Sequence, residues 1–417
     1  HEYQRALSLL GESAAKLPTE PEVLYHLGMA RYMTGNEDGA RSALKQAVAL
    51  NDTFTGADTA RQKLAVLNMN LSAEAGTPEA LEKMVKDHPD DPMARAQLAA
   101  AYERAGNSAK AITAYENALK SAPNNVQAAL SLINLYASSG ETAKALELAK
   151  STRELAPTDP AVAAVAGHLA YQTGDYDWAL SLLQDAARGK TDDPGLLFDL
   201  ANASYSVGRV ADAESAMRSA LQTGQQFADV GKARRFLELN NLAANPAQAV
   251  AATDRVGQIL RTEPTDVPAL MVWGAINEQK SDPKAAVQAY EKALGVFPDF
   301  LPAMRRLAIL YSADPANNQK ALALGLKARQ AYPDDAELAR ALGIVAYRQK
   351  DYRSASNWLQ ESAAKQTDDA IVQYYLGMAR YQLKQSAQSR QALQRALDIG
   401  LAPDQAAEAH RVLAELK

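Results

Sequence analysis

The chain repeats itself on two length scales. The short period is 34 residues: Leu98, Leu132, Ala166 and Leu200 are so spaced, as are Gly106, Gly140, Gly174 and Gly208, and Ala111, Ala145, Ala179 and Ala213. The long period is about five of these repeats, since LYHLGMARYMTG (24–35) returns as LFDLANASYSVG (197–208) and as QYYLGMARYQLK (373–384). A chain built this way does not fold around one large core. Each repeat is a small unit that cannot bury its own apolar face and must stack on its neighbours.

Composition sets the element type. Apolar residues make up 47% of the 417 residues, enough for a packed interior. They are mostly Ala and Leu with few β-branched side chains, which favours helix throughout. The formal net charge of −5, with Lys and Arg scattered among Asp and Glu, offers no basic stripe for a phosphate backbone and argues against nucleic-acid binding. With no Cys there is neither a disulfide nor a thiolate metal site. No apolar run approaches the roughly 18–20 residues that span a bilayer.

Each repeat reads as two helices. In residues 91–125, Asp91 suits an N-cap and Pro92 the first helical turn. Leu98, Ala99 and Tyr102 follow at helical spacing until Gly106-Asn107 breaks the helix. A second helix carries Ala111, Tyr115, Ala118 and Leu119 on one face, and Pro123 stops it. Small residues at Ala99 and Ala111 let the two helices approach, while Leu98 and Tyr115 fill the space beside them.

This pattern resembles the tetratricopeptide repeat (TPR): Leu-Gly or Leu-Ala, then Tyr, a turn Gly, Ala, a large residue, a second Ala and a closing Pro. Leu98-Ala99, Tyr102, Gly106, Ala111, Tyr115, Ala118 and Pro123 match it; so do Leu27-Gly28, Gly35, Ala40, Leu44 and Ala47. Further matches are Trp273-Gly274, Ala285, Tyr290, Ala293 and Pro298, with Leu342-Gly343 and Leu376-Gly377 marking the last two repeats. The resemblance implies an all-α, right-handed superhelical solenoid of antiparallel helix pairs.

One solenoid is expected over 1–417, with 1–20 the second helix of a cut repeat and repeats at 21–54, 55–90, 91–125, 126–159, 160–193, 194–226, 227–265, 266–300, 301–335, 336–369 and 370–403. A capping helix closes it at 404–417. The repeats at 55–90 and 227–265 are irregular. They share a signature, Ala60-Arg61-Gln62-Lys63-Leu64 and Ala233-Arg234-Arg235-Phe236-Leu237, which returns as Ala409-His410-Arg411-Val412-Leu413. Asn245-Pro246 reads as a cap and helix start. The long period brings Tyr3 into register with Tyr176 and Tyr352. Residue 1 lies inside a repeat, so the natural protein is expected to extend upstream.

Chemistry-bearing patterns are sparse. His1, His26, His88, His168 and His410 show no metal-ligand spacing. Gly189-Lys190-Thr191 resembles the tail of a phosphate loop, but Gln184 stands where the loop needs Gly, and the segment follows a helix. The acid pairs Asp90-Asp91, Asp192-Asp193, Asp334-Asp335 and Asp368-Asp369 all precede a first helix, where capping explains them better than calcium or catalysis. The expectation is a non-enzymatic protein with no cofactor and no metal.

The candidate site is a stripe on the first helices, because residues four and seven apart share a helical face. It comprises Tyr25, Met29 and Tyr32; His168 and Tyr171; Phe198, Asn202 and Tyr205; Tyr347; and Tyr374, Met378 and Tyr381. First helices line the concave surface in the resembling family. One reading is a Tyr-rich groove for a partner's extended peptide or helix. The other is that these rings pack against the next repeat. Tyr102, Tyr136 and Tyr311 sit one residue earlier and are expected to turn toward the helix interface.

The implied function is a scaffold that binds a protein or peptide ligand on the concave face. A second reading rests on FPDFLPAMRRLAILY (297–311) and the C-terminal block. These are similar in style to large bacterial TPR proteins of exopolysaccharide export and exosortase (PEP-CTERM) systems. It implies an envelope or periplasmic component, associated with the envelope through upstream sequence. A third is a non-catalytic regulatory part of a larger enzyme complex.

Overall fold

A computed structural model describes residues 2–69, 76–188 and 192–416. His1, the side chain of Tyr3 and the Gly189-Lys190-Thr191 segment lie outside the described residues. The described residues are helical with no strand, and they divide into two compact bodies, His1–Ala203 and Ser204–Lys417.

In the first body the helix Glu2–Lys16 precedes the pairs Pro21–Met33 with Glu37–Leu50, Ala57–Met69 with Pro78–Asp87, and Pro92–Arg104 with Ser108–Ser121. Val126–Ser138 with Thr142–Leu155 and Pro160–Gln172 with Tyr176–Ala187 follow. The division between bodies falls in Pro194–Ser206, which precedes Val210–Gln222. The second body continues with Val230–Ala244, whose second helix is split into Pro246–Ala251 and Thr253–Thr262. Val267–Gln279 with Pro283–Val296, Leu301–Tyr311 with Asn318–Ala328, Ala336–Arg348 with Tyr352–Lys365, and Ala370–Gln382 with Ser386–Ile399 complete the pairs. Pro403–Glu415 closes the chain.

The pairs lock by one size rule. A small residue on the first helix lies under a large one sixteen positions later on the second. A Cβ added at Gly28, Gly167, Gly343 or Gly377 would meet Leu44, Leu183, Leu359 or Leu393 at 2.5–2.7 Å, and at Gly274 it would meet the Tyr290 ring at 2.4 Å. At one repeat the sizes exchange: Ile133 and Ala149, sixteen apart, are both buried. Either way one large and one small side chain share the space between the helices, as close packing demands. The repeat register places the buried small residue of the Pro283–Val296 helix at Ala286; Ala285, expected from the sequence pattern, is only half-buried.

The turn between paired helices needs a left-handed residue. Gly35, Gly106, Gly140, Gly174 and Gly208 take φ between 73° and 85° there. In three later repeats Ser281, Lys350 and Lys384 adopt the same conformation at φ 59–66°. The closing bond is kept in both cases: Asn107 N donates to Tyr102 O at 2.8 Å, and Gln385 N donates to Arg380 O at 2.9 Å.

The second residue of each acid pair caps a first helix. Asp91 Oδ1 accepts from Met93 N and Ala94 N at 3.0 Å, and Asp193, Asp335 and Asp369 accept from the backbone in the same way. Asn245 departs from its expected role. Its side chain caps nothing and donates back to Asn241 O at 2.7 Å, ending one helix where the next begins.

Candidate functional site

The tyrosines of the first helices sort by register. Those three residues after the anchor position (Ala99, Ile133 and Ala308) form a recurring joint between repeats. Tyr102, Tyr136 and Tyr311 each donate a hydroxyl hydrogen bond to a glutamate twenty residues earlier, Glu82, Glu116 and Glu291, on the preceding repeat's second helix. Lys110, Lys144 and Lys320 lie over the three rings at 4.9–5.6 Å. These rings face the interface between helices, as their position in the sequence predicts.

The tyrosines four residues after the anchor divide. Tyr32 and Tyr205 are buried, with 1% and 4% exposure. Tyr32 donates to Asp91 Oδ1 at 2.6 Å, and Lys63 pairs with Asp91 Oδ2 at 2.6 Å while lying over the Tyr32 ring. Tyr205 packs against Phe236 at 5.0 Å and Phe300 at 4.9 Å. Tyr381 is half-buried and bonds Glu415. Lys63 and Phe236 hold one position of the shared signature, and Glu415 lies on the helix that carries its third copy. The signature helices are thus the surfaces on which these three tyrosines seat.

The other stripe residues are more open. Tyr25 and Met29 are half-buried, with the Tyr25 ring 5.5 Å from Phe54. His168 is exposed, bonded to Asp199 and Gln172 at 2.8 Å. Tyr171 and Tyr347 are half-buried and stand 5.5 and 5.6 Å from Tyr176 and Tyr352, the start of the following helix in each case. Phe198 and Asn202 are half-buried, whereas Tyr374 and Met378 are buried beneath the last helix in the cluster with Ala409 and Val412. The structure therefore places Tyr32, Tyr205, Tyr374 and Met378 in the packing. It leaves part of the surface of Tyr25, Met29, His168, Tyr171, Phe198, Asn202, Tyr347 and Tyr381 to solvent.

A cleft of about 680 Å³ in the second body collects residues that, Tyr205 apart, the stripe does not contain. Four successive first helices contribute Tyr205, Asn240, Met271, Glu278, Arg305 and Arg306 to it. Arg306 Nε donates to Glu278 Oε1 at 2.9 Å, and Glu278 also accepts the Tyr290 hydroxyl at 2.7 Å. Arg305 bonds Asp335 and reaches Glu337 at 3.2 Å, as does Arg306. Burial pulls the Arg306 guanidinium down, but Glu278 outweighs this and holds it above its ordinary value, so it stays charged. Asn240, 6% exposed, lines the cleft with a buried Nδ2 that has no hydrogen-bond partner.

Sequence reasoning missed this cleft. Arg305 and Arg306 lie inside 297–311, a segment singled out above for its style, and Asn240 lies on a signature helix. The missing signal was the junction of those two segments. Among the described residues no group of three or more His, Cys, Asp or Glu side chains is placed to hold a metal ion. No described helix is long and apolar enough to cross a membrane.

Antiparallel helix pairs repeating at 34 residues, with first helices that leave an open cleft of mixed polar and apolar lining, define a helical-repeat protein. Family models described as tetratricopeptide repeat match residues 104–169 and 170–235, residues 340–406 and residues 22–51. Together these cover more than half of the chain, and the chain belongs to the tetratricopeptide-repeat family. Among solved structures it is similar to the P58(IPK) TPR domain, at 15% identity and a TM-score of 0.32 over 93% of this chain and 95% of that one. It is similar to Naa15/Naa10 bound to HypK-THB at 16% identity and a TM-score of 0.30, covering 94% of this chain and 60% of that one. YrrB, a TPR protein with an unusual peptide-binding site, is similar at 15% identity and a TM-score of 0.33 over 55% of this chain and 97% of that one. No curated protein matches the chain.

Proposed function

We propose that the chain is a non-enzymatic scaffold that binds a segment of another protein on the face of its first helices. The observation that carries this reading is the cleft of about 680 Å³, built from four consecutive first helices and lined by both rings and charges. Its size falls within the range of ligand pockets, roughly 300–1,000 Å³, and its polar groups converge as binding sites require. A photo-crosslinking residue at Gln279, exposed on the rim, is expected to capture a discrete partner. The same residue at Lys292, exposed on a second helix, is expected to capture none. Equal capture from both positions, or none from either, would defeat the reading.

A second proposal concerns setting. The style of residues 297–311 supports a bacterial envelope or periplasmic location over the cytoplasm. Fractionation of the native cell tests it, and recovery wholly in the cytoplasmic fraction would reject it.

A further inference from the structure

We infer that a groove in the first body binds a long-chain carboxylate, a molecule of the fatty-acid class, with its alkyl chain in the groove and its anionic head at Arg95. The groove runs between the second helices Pro78–Asp87 and Ser108–Ser121 and is floored by the first helix Pro92–Arg104. It shares no residue with the stripe or with the cleft of the second body, and the inference does not depend on the scaffold reading.

The groove has a volume of about 430 Å³, within the range of ligand pockets. Val85, Leu98, Ala109 and Ala114 give it an apolar middle. The space is there because position 114 is small. Three residues after the buried Ala145, Ala179, Ala321 and Ala355, four other second helices carry Leu148, Leu182, Leu324 and Trp358, which pack into the core. Three residues after the buried Ala111 stands Ala114, so the bulk that those repeats supply for themselves is missing from this one.

The polar groups decide what fills it. The neutral ones are engaged within the protein: Tyr102 donates its hydroxyl to Glu82, Thr113 Oγ1 donates to Ala109 O at 3.1 Å, and Asn117 Oδ1 accepts from Lys120 at 3.1 Å. The walls are helices, whose backbone groups are bonded internally. A peptide backbone laid there would give up its hydrogen bonds to water without replacement, whereas an alkyl chain has none to lose. Among the described residues the lining holds two cations, Arg95 and Lys110, and no carboxylate. Lys110 is shared with Glu82 at 3.5 Å. Arg95 is the freer of the two. It donates to neutral oxygens, Asn117 O and Ser121 Oγ, at 3.1 Å, and Asp90 stands 4.0 Å away with its side chain almost wholly in solvent. A guanidinium with only 22% of its side chain exposed gains more from an anion than a surface cation does. Seven residues of helix, about 10 Å, separate Lys110 from Asn117, where Arg95 is anchored. A chain whose head sits at Arg95 therefore runs along the apolar middle toward Lys110.

The test titrates decanoate, octanoate and decyltrimethylammonium, each below its micellar concentration, into the full chain by calorimetry. Decanoate is expected to saturate one site. It is expected to bind about tenfold more tightly than octanoate, the weight of two buried methylenes, and at least about tenfold more tightly than the alkyl cation. Arg95→Gln is expected to weaken decanoate about tenfold. Ala114→Leu, which gives this repeat the side chain that Leu148 and Leu182 give theirs, is expected to abolish binding while the melting temperature stays or rises, so that the loss is not one of folding. No saturable binding of decanoate, equal affinity for decanoate and decyltrimethylammonium, or an Ala114→Leu chain that binds as before would overturn the inference.

Discussion

The Tyr32 hydroxyl donates a 2.6 Å hydrogen bond to Asp91 Oδ1 across 59 residues of sequence. The same oxygen caps the helix Pro92–Arg104, and the second oxygen pairs with Lys63 at 2.6 Å. One buried carboxylate thereby ties three consecutive first helices. Asp91→Ala removes the cap and leaves Tyr32 and Lys63 unpaired. The expected loss is about 3 kcal/mol, read by denaturant unfolding, against about 1 kcal/mol for Tyr32→Phe.

Burial by itself would raise the Asp91 carboxyl, but hydrogen bonds from Lys63, Tyr32 and Ala94 N, with the Lys63 charge, hold it below the ordinary carboxylate value of 3.8. A depressed folded-state value stabilises the protein above the unfolded value. That contribution disappears as pH falls through the folded value, so the window lies at and below about pH 4. Asp91→Asn is expected to flatten the stability profile there. An unchanged acid limb would show that the carboxylate is not the group being titrated.

Alkaline pH acts on the other partner type. Burial, reinforced by Asp91, raises Tyr32; burial raises Tyr205; burial, with Glu278, raises Tyr290. Burial pushes Tyr115 and Tyr347 up to about 12. Raised values give stability that is complete below pH 10 and is lost as pH rises through the folded values. Tyrosinate absorbance is expected to show these groups ionising together with loss of helicity, above the ordinary phenol range. Independent, reversible titration near pH 10 with the helices intact would contradict the burial.

The turn residues give a stabilisation test. Lys350 and Lys384 hold φ of 66° and 60°, where a side chain is strained. Lys350→Gly and Lys384→Gly are each expected to raise stability by about 0.5–1 kcal/mol, after the greater entropy of Gly in the unfolded chain is deducted. Gly106→Ala, at φ 73°, is expected to lower it by about 1 kcal/mol. A fall in melting temperature on both Lys substitutions would mean that their side chains do more than tolerate the turn.

Packing sets the sharpest limit on the repeats. Gly343→Ala drives a Cβ to 2.5 Å from Leu359 Cγ inside a helix pair, and Gly274→Ala drives one to 2.4 Å from the Tyr290 ring. Each is expected to cost about 1–3 kcal/mol despite the better helix propensity of Ala. Gln97→Met acts in the opposite direction. Gln97 is 1% exposed with neither amide atom bonded, and its replacement is expected to stabilise by about 1 kcal/mol in thermal unfolding.

Much of the architecture was legible because it is local. Gly106, the Asp91 cap and the placing of small Ala99 and Ala111 beside large Leu98 and Tyr115 all act within one repeat, and repetition multiplies a weak signal. Tyr102, Tyr136 and Tyr311 were readable for the same reason, since one step in helical register decides which face a ring takes. The stripe was harder. Tyr32 and Tyr381 stand at equivalent positions, yet one is buried and the other half-buried, because the helix that follows each presents different side chains.

Residue order by itself determined the helix pairs, their turns and caps, and the family, because these depend on neighbours at most a repeat away. Lys350 and Lys384 show how far this reaches: the backbone keeps the left-handed turn after the glycine that marks it has gone. Only the tertiary structure decided which aromatic rings stay accessible and where a cleft opens. Those depend on side chains brought together from successive repeats, as Asn240, Arg306 and Tyr205 are. Burial and pairing are properties of that assembly, and no periodicity along the chain encodes them.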